Sequence, residues 1–312
     1  MHTPQAKASD VMFDRTFILG AGAIGSVVGA LLSKKNDITL IGNRAHVEAL
    51  DSSGLSVSGD VNETFQLRAD TQIREIPQKT LIFLTTKAYD SESTMRGISK
   101  LLREDTVVLV LQNGLGNEEV VKRAVSGKAR VLRGITTMAV EFFKAGQVKY
   151  WKGDTFIEND VASEEIADVL NACGLKTSLC RNIRDRIWGK VVVNSVVNPL
   201  TAIFRVRNRE IGTQTLAPVR HQIVRECVHV GKAEGIAFQG DLEKGIDREI
   251  VGYTNFSSMC QDIIKGNRTE IDFLNGKIIE LGGKHHIPTP VNETIVSFIK
   301  FLEENNELSG KN

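Results

Sequence analysis

The sequence predicts an α/β protein with a doubly wound parallel sheet in its N-terminal half and an all-helical C-terminal half. From Thr16 to about Asn182, short apolar runs alternate with amphipathic stretches, which is typical of parallel strands joined by helical crossovers. Beyond that point, long patterns with a helical period dominate. We therefore divide the chain into a leader at 1–13, a first domain at 14–182 and a second domain at 183–312.

The strands of the first half are short runs rich in β-branched and aliphatic residues. The parallel strands are predicted at 16–20, 38–42, 81–86, 106–112 and 130–136. The stretch 23–35 predicts the helix that follows the first strand. Alternating residues at 54–59 and 64–69 predict a small hairpin inserted into the parallel order, and those at 138–158 predict antiparallel strands at the sheet edge.

Glycine and proline residues interrupt the helical patterns of the second half. Gly266, Gly282, Gly283, Pro288 and Pro290 separate its helical patterns. The helices are predicted at 185–204, 214–236, 253–265, 268–281 and 291–306. Because a β/α half followed by a helical half leaves a crevice between the two, we expect the ligand site in that crevice.

Composition excludes several classes of function. The 312-residue chain is 41% hydrophobic with a formal net charge of +1, so neither nucleic acid nor a membrane surface is an expected partner. The N-terminus lacks the apolar segment of a signal peptide, and no run of about 18 apolar residues predicts a membrane span. No cysteine forms a Cys-x-x-Cys pair, so we predict no metal site and expect a reduced, cytoplasmic protein.

A glycine-rich turn follows the first predicted strand and opens a helix. Its G-x-G-x-x-G pattern consists of Gly20, Ala21, Gly22, Ala23, Ile24 and Gly25. The first glycine permits a tight turn, the second lets the backbone approach a pyrophosphate, and the third lets helix and strand pack closely. In this context the pattern predicts a Rossmann-type dinucleotide site, with the anion at the helix N-terminus.

The residues after the second strand indicate which dinucleotide binds. Enzymes that use NAD usually carry Asp or Glu there, to accept a hydrogen bond from the ribose 2′-hydroxyl. This sequence has Gly42, Asn43 and Arg44 instead, and a guanidinium can pair with a 2′-phosphate. We therefore predict NADP(H) as the cofactor; the alternative is that Arg44 is an ordinary surface residue.

Polar residues also follow two other predicted strands. Lys87 follows the strand at 81–86, and Asn113 follows the strand at 106–112. In open α/β sheets ligands bind outside the carboxyl ends of the strands, where a nicotinamide ribose and a substrate would lie. The alternatives are a plain surface lysine and a turn-forming asparagine before Gly114.

The most informative pattern of the second half is a polar stripe on a valine-rich helix. Lys190, Asn194 and Asn198 are spaced four residues apart, so successive side chains are rotated by only about 40°. Burying them among valines is costly without partners, which predicts that they line a polar pocket; the alternative is a snorkelling lysine. An ammonium there can polarise a ketone and donate a proton as a hydride is added.

A further polar cluster spans residues 257–276. Glu270 follows the predicted break at Gly266 and lies near a helix start, where the helix dipole alone would favour a carboxylate. Ser258 alone indicates little, because no G-x-S-x-G pattern and no triad accompany it.

Taken together, these motifs resemble those of the 2-dehydropantoate 2-reductases, or ketopantoate reductases, from about Phe17 to Phe301. The matching motifs are G-A-G-A-I-G (20–25), T-K-A-Y (86–89), L-Q-N-G-L-G (111–116), W-G-K-V-V-V-N-S-V-V-N-P-L-T-A (188–202), S-S-M-C-Q-D (257–262) and R-T-E-I-D-F-L-N-G (268–276). One departure is Tyr89, where the family often has Trp beside the cofactor. The resemblance implies a Rossmann domain and a helical C-terminal domain related to that of 6-phosphogluconate dehydrogenase.

The resemblance also implies a role for each matching residue. Lys190 corresponds to the family's catalytic general acid. The residues implied in substrate binding are Asn113, Asn194, Asn198, Asn208 and Ser258. The residues implied in cofactor binding are the turn at 20–25 together with Arg44, Lys87, Asn113 and Glu270.

The implied reaction is the NADPH-dependent reduction of 2-dehydropantoate to (R)-pantoate, which supplies pantothenate and coenzyme A synthesis. The implied partner is a small 2-oxo acid, with a homodimer as a possible assembly. Two alternatives stay open, because a shared fold does not fix the substrate. One is a reductase of another branched 2-oxo acid with the same site, and the other is a non-catalytic NADP-sensing protein, which would have no need of a proton donor.

Overall fold

The computed structural model of the protein describes residues 13–309, with side chains described through residue 305. The strands are β1 (Arg15–Leu19), β2 (Ile38–Ile41), β3 (Leu55–Gly59), β4 (Glu63–Phe65), β5 (Arg68–Asp70), β6 (Thr80–Leu84), β7 (Val107–Val110), β8 (Arg130–Thr136), β9 (Ala139–Lys144), β10 (Gln147–Trp151), β11 (Thr155–Glu158) and β12 (Thr177–Cys180). The helices are α1 (Ala23–Leu32), α2 (Arg44–Ser53), α3 (Ser91–Ile98), α4 (Asn117–Val125), α5 (Ser163–Ala172), α6 (Ile183–Phe204), α7 (Ala217–Ala233), α8 (Leu242–Ile250), α9 (Ser258–Ile264), α10 (Asn275–Lys284) and α11 (Pro290–Ser309).

The first half is built on an eight-stranded sheet with the order β12-β11-β8-β7-β6-β1-β2-β5. Neighbouring strands are parallel except β8 and β11. In β1, Ile18 packs into the apolar core on one face, whereas Phe17 and Leu19 pack into the core on the other. A strand buried on both faces has a continuous apolar sequence, which explains the apolar runs of the predicted strands. The strand pairing confirms the predicted parallel sheet.

The predicted hairpin is present, and it belongs to a separate four-stranded sheet with the order β4-β3-β10-β9. Strands β3 and β4 do form an antiparallel pair. However, the predicted strand at 64–69 is divided, and its last residues join β5, which pairs in parallel with β2 at the edge of the large sheet. Alternation specifies which side chains are buried, here Leu55, Val57 and Phe65, but not which sheet edge a strand joins.

The antiparallel strands predicted at 138–158 are present in two places. Strands β9 and β10 pair antiparallel and complete the small sheet. Strand β11 is antiparallel to β8 but lies inside the large sheet, because β12 covers its other edge. The predicted position at the sheet edge is therefore wrong for β11, since the short strand β12 was not predicted.

Helix α6 is the central element of the second half. Asn182 caps it by accepting a hydrogen bond from the backbone N–H of Asp185. By length and composition this helix could cross a membrane, but 67% of its most apolar window is buried inside the protein. Its valines pack against residues of α7, α9, α10 and α11 in a single apolar core, so the pattern is that of a core helix.

Pro199 lies within α6 and removes one helical hydrogen bond. The carbonyl that loses its partner in such a case is four residues earlier, at Ser195. The side-chain amide of Asn275, at the start of α10, donates to that carbonyl at 2.9 Å. A buried backbone acceptor is thus satisfied from a neighbouring helix, which lets α6 continue past the proline.

Several helix boundaries differ from the predictions because side chains cap the helices at residues that the apolar pattern does not mark. Within 253–265 only α9 is helical, because Ser257 accepts from the N–H of Cys260 and starts the helix there. Within 268–281 a 3₁₀ turn at Ile271–Phe273 precedes α10. Helix α8 was not predicted; Asp241 caps it by accepting from the N–H of Lys244.

The predicted leader falls mostly outside the described residues. Residues 1–12 of it are not described. Phe13 is described and is buried in the core on one face of the large sheet. This residue therefore packs with the first half of the protein.

Candidate active site

The glycine-rich turn between β1 and α1 has the geometry that its sequence pattern requires. Gly20 has a φ of +116°, and a Cβ added to it would lie 2.4 Å from the backbone nitrogen of Thr86. A Cβ at Gly25 would lie 2.1 Å from the carbonyl oxygen of Gly20. Both positions thus exclude a side chain because the turn packs against the end of β6 and against the start of α1.

Gly22 differs from these two glycines because nothing fills the space beside it. A Cβ added there would have no heavy atom within 4 Å. Gly22 is also the N-cap of α1, and no side chain caps that helix start. Free backbone N–H groups facing open space suit the pyrophosphate of a dinucleotide, so the turn fits such a cofactor.

The end of β2 carries no carboxylate. Asn43 is engaged in capping α2, accepting from the N–H of His46 at 2.9 Å. Arg44, the first residue of α2, is exposed and forms no ion pair within the described part of the chain. Its guanidinium is thus available to an anion that binds at this edge of the sheet.

A cavity of about 460 Å³ lies between the two halves. Ala23 and Ile24 of α1 line it from the first half, and Phe256 lines it from the second half. Among the predicted site residues, it brings together Asn113, Lys190, Asn194, Asn198, Asn208 and Ser258. The polar stripe of α6 therefore faces the crevice in which we expected a ligand.

Lys190 is held in this cavity by neutral acceptors. Its Nζ donates to Oδ1 of Asn113 at 2.8 Å and to the carbonyl oxygen of Thr136. The pKa of Lys190 is lowered to about 8, mainly by burial and also by the positive charge of Arg133, while Glu270 opposes the shift. An ammonium with this pKa can give up its proton near neutral pH, as a general acid must.

The asparagines add polar groups without adding charge. Asn198 and Asn208 are buried, and Asn194 is half-buried. Oδ1 of Asn208 has no hydrogen-bond partner within the described residues, although it is fully buried. A buried acceptor without a partner costs free energy, so a ligand group that donates to it would be stabilised.

Lys87 and Glu270 lie together, outside the lining of the cavity. Nζ of Lys87 is 2.5 Å from Oδ2 of Asp262 and 3.9 Å from Oε2 of Glu270. Glu270 also accepts from the backbone N–H of Ala88 at 2.9 Å. Burial alone would lower the pKa of Lys87, but the two carboxylates outweigh it and hold that pKa above its ordinary value. These contacts tie the end of β6 to the helical half.

Three residues near Lys190 were missed in the sequence analysis. Two of them are on β8: the carbonyl of Thr136 accepts a hydrogen bond from the ammonium of Lys190, and the charge of Arg133 lowers its pKa. Arg186 lines the cavity and places its guanidinium 3.8 Å from the ring centroid of Phe156. Two of the three carry a signal in the sequence: Arg133 is a charged residue inside an apolar strand, and Arg186 lies one helical turn before Lys190.

The structure offers no grouping suited to a metal ion. Within residues 13–305, no three side chains of His, Cys, Asp or Glu are clustered so that they could hold one. The cysteines at positions 173, 180, 227 and 260 are all free.

Two family models match the chain, one for each half. Residues 16–159 match "Ketopantoate reductase PanE/ApbA", and residues 182–303 match "Ketopantoate reductase PanE/ApbA C terminal". The 2-dehydropantoate 2-reductase of Pyrococcus horikoshii is 37% identical over 299 residues, covering 93% of this chain and 97% of its own length. That of Archaeoglobus fulgidus is 34% identical over 299 residues, covering 93% and 98%.

Two solved structures with the same architecture carry the names of different enzymes. A PanE/ApbA-family ketopantoate reductase from Ralstonia eutropha JMP134 is 26% identical, with a TM-score of 0.87 and coverage of 94% of this chain and 99% of its own. D-mandelate dehydrogenase, in a ternary structure with NADH and anilino(oxo)acetate, is 29% identical, with a TM-score of 0.86 and the same coverage. The whole chain, both halves included, is thus similar to these dehydrogenases and reductases.

Proposed function

Because the chain belongs to the ketopantoate reductase family, we propose that it reduces 2-dehydropantoate to (R)-pantoate with NADPH. The observation that carries this proposal is the placement of Lys190. Its ammonium lies in the cavity between the halves, and within the described residues it is bonded only to neutral oxygens, those of Asn113 and Thr136. A ketone oxygen that enters the cavity would find one proton donor that no carboxylate neutralises.

The reduction adds a hydride to the carbonyl carbon and a proton to the carbonyl oxygen. A bound nicotinamide cofactor supplies the hydride. Lys190 binds the carbonyl oxygen, stabilises the negative charge that develops on it, and transfers a proton from Nζ. Asn113 orients the ammonium during this transfer, since its Oδ1 accepts from Nζ. The ammonium must be protonated at the start, so the rate of reduction falls as the pH rises through about 8.

The remaining polar residues of the cavity hold the substrate. Asn194 and Asn198 follow Lys190 on the same face of α6, and Asn208 and Ser258 reach the cavity from other elements. Hydroxyl and amide groups can bind both the carboxylate and the hydroxyl of 2-dehydropantoate. The free acceptor of Asn208 suits the hydroxyl, because that group is the donor among the substrate's polar groups.

A substrate panel tests the proposed function. The purified chain is given NADPH and, in turn, 2-dehydropantoate, other branched 2-oxo acids and an aromatic 2-oxo acid, and NADPH absorbance is followed. We expect the largest kcat/KM with 2-dehydropantoate. Turnover of another oxo acid far above it would reject the substrate, and cofactor binding without turnover of any oxo acid would favour the sensing protein.

A second candidate, the reduction of another 2-oxo acid, is favoured by one specific likeness. D-mandelate dehydrogenase is as similar in structure as the ketopantoate reductase from Ralstonia eutropha. Aromatic side chains of Phe156, Tyr253 and Phe256 line the cavity here, and they suit a bulkier apolar group. The aromatic oxo acid in the panel is included for this reason.

NADPH rather than NADH is the proposed cofactor because of the end of β2. No carboxylate there would repel a 2′-phosphate, and Arg44 is exposed and without an ion pair among the described residues. The D-mandelate dehydrogenase structure contains NADH, so the choice needs a direct test. For Arg44→Asp we expect NADPH affinity to fall about 10-fold, with a relative gain for NADH, because one charge-assisted hydrogen bond is lost.

The control for this substitution is Arg123→Asp, which changes the net charge equally at an exposed position of α4. It should leave the Kd of both cofactors unchanged. Equal NADPH affinity in Arg44→Asp and in the wild type would contradict the 2′-phosphate role. Fluorescence titration of each variant with each cofactor gives the comparison.

A further inference from the structure

Arg133 is a charged residue in the middle of the buried sheet. Its side chain lies on β8 and is 2% exposed. A buried charge is costly unless its hydrogen bonds are satisfied. The guanidinium donates to the carbonyl oxygens of Val110 at 2.8 Å, Gln112 at 2.7 Å, Gly114 at 3.2 Å and Gly134 at 2.8 Å.

No carboxylate neutralises this guanidinium directly within the described residues. Glu158 on β11 bonds to the backbone N–H of Arg133 rather than to its side chain. Glu118 and Glu119 on α4 act only at longer range. Burial lowers the pKa of Arg133 to about 10, so the side chain stays charged at neutral pH. Burying a guanidinium without a carboxylate partner costs free energy, which raises the question of what this residue does for the protein.

The carbonyls that Arg133 binds lie around the residues that hold Lys190. Gln112 and Gly114 flank Asn113, whose Oδ1 accepts from Nζ of Lys190 at 2.8 Å. The other acceptor of Lys190, the carbonyl of Thr136, is on the same strand as Arg133. One guanidinium therefore ties the turn after β7 to β8 and fixes the distance between the two acceptors.

The charge of Arg133 also acts on Lys190. Burial is the main cause that lowers the pKa of Lys190, and the positive charge of Arg133 adds to it. Glu270 acts in the opposite direction, but its carboxylate is shared with Lys87. The other charged side chains that line the cavity are Arg186, on the same helix, and Glu249.

We propose that Arg133 is a positioning residue for Lys190, which clamps the two acceptors of its ammonium and places a permanent positive charge behind it. This inference rests on the proposed function, because it takes Lys190 as the proton donor. Arg133 does not line the cavity, so it acts through Asn113 and Thr136 and not on the substrate.

The test compares Arg133→Met, which removes both the clamp and the charge, with Arg133→Lys, which keeps the charge but lacks the fork that reaches several carbonyls. Arg130→Met is the control, since Arg130 is on the same strand but is paired with Asp160 at the surface. Two quantities are measured for each: the pH profile of kcat, and the pH midpoint for competitive labelling of Lys190 by an amine reagent, read by peptide mass spectrometry.

In Arg133→Met we expect kcat to fall about 10-fold or more and the labelling midpoint to move up by about 1 pH unit. In Arg133→Lys we expect a similar fall in kcat with the midpoint near that of the wild type. Arg130→Met should match the wild type in both.

An unchanged midpoint in a folded Arg133→Met variant would overturn the electrostatic part of the proposal. A wild-type kcat in Arg133→Lys would overturn the clamp, and this second variant decides the question if Arg133→Met does not fold. Failure of the proposed function is seen separately, because a wild type that reduces no 2-oxo acid still reports the labelling midpoint of Lys190.

Discussion

Two lysines lie where the strand ends of the large sheet meet the helical half, and their surroundings are opposite. Lys87 is 2.5 Å from a carboxylate oxygen of Asp262 and 3.9 Å from one of Glu270. Lys190 is bonded to an amide oxygen and a backbone carbonyl, and the guanidinium of Arg133 is the charge with the largest effect on its pKa. One lysine is thus paired in an ion cluster, and the other is a buried cation among neutral acceptors.

Burial acts in the same direction on both lysines, so the difference between their pKa values comes from the charge of their neighbours. Burial acts to lower the pKa of both side chains. Carboxylates reverse that effect for Lys87, which therefore keeps its proton and connects the two halves. Arg133 adds to the effect for Lys190, and the resulting pKa of about 8 suits the proton donor that we propose.

The sharpest test of this comparison removes the ammonium itself. In Lys190→Met we expect kcat to fall by at least about 10²-fold, because the proton donor is lost while the apolar stem is kept. The free energy of unfolding should be unchanged or higher, since a buried charge without a carboxylate partner is removed. Steady-state kinetics and chemical denaturation measure the two effects.

Lys87→Met is the matched control for that substitution. It should lower the free energy of unfolding, because Asp262 and Glu270 lose their cation, and it should keep a measurable kcat at saturating cofactor. If Lys190→Met retained the wild-type kcat, the catalytic assignment of Lys190 would be wrong and the two lysines would differ only in stability.

A second test places a carboxylate beside Lys190, so that its surroundings become like those of Lys87. Asn113→Asp places a charge of opposite sign 2.8 Å from Nζ without changing the size of the side chain. We expect the decline in rate above about pH 8 to move up by about 1–3 units, and kcat to fall about 10-fold because the proton is held more strongly. A pH profile of kcat measures both.

Asn113→Ala separates charge from geometry in that experiment. It removes the acceptor without adding a charge, so it should lower kcat and leave the decline near pH 8 in place. An Asn113→Asp profile that coincides with that of Asn113→Ala would show that a carboxylate does not control the proton of Lys190.

The parallel sheet and the helical half could be predicted because their patterns are local. The run of residues 16–20 is apolar because both faces of β1 are buried, and the four-residue spacing from Lys190 to Asn198 places three side chains on one helical face. The hairpin predicted at 54–59 and 64–69 is present as β3 and β4, but the pairing of β5 with the large sheet and of β3 with β10 was not predicted, because strand pairing depends on contacts between residues far apart in the chain.

The residues of the site could be predicted from local patterns, but the contacts between them could not. Residues that repeat at helical spacing or follow a strand, such as Lys190 and Asn113, were named from the sequence and line one cavity. The contact between them was not predicted, because it joins residues 77 positions apart. The contacts of Arg133 were missed, because one charged residue in an apolar strand gives no indication of which carbonyls it will bind. The pairing of Lys87 with Asp262 was also missed, because those residues are 175 positions apart.

The smallest expected effect comes from removing a carboxylate beside Lys87, so that its surroundings become more like those of Lys190. Asp262→Asn removes the nearer carboxylate, and we expect the free energy of unfolding to fall by about 1–2 kcal/mol. The loss stays at the low end for a buried pair, because the Lys87 side chain is 33% exposed and Glu270 remains 3.9 Å away. The decline of kcat above about pH 8 should not move, because Arg133 and Glu270 are the charges that act on Lys190.

Asp272→Asn provides the reference for a more exposed carboxylate, since Asp272 lies 2.7 Å from Lys300 and 3.4 Å from Arg268 and should contribute about 1 kcal/mol or less in total. Denaturant unfolding of both variants gives the two free energies under the same conditions. If Asp262→Asn costs no more than Asp272→Asn, the ion cluster at Lys87 does not hold the halves together. The contrast between the two lysines would then rest on the proton of Lys190 alone.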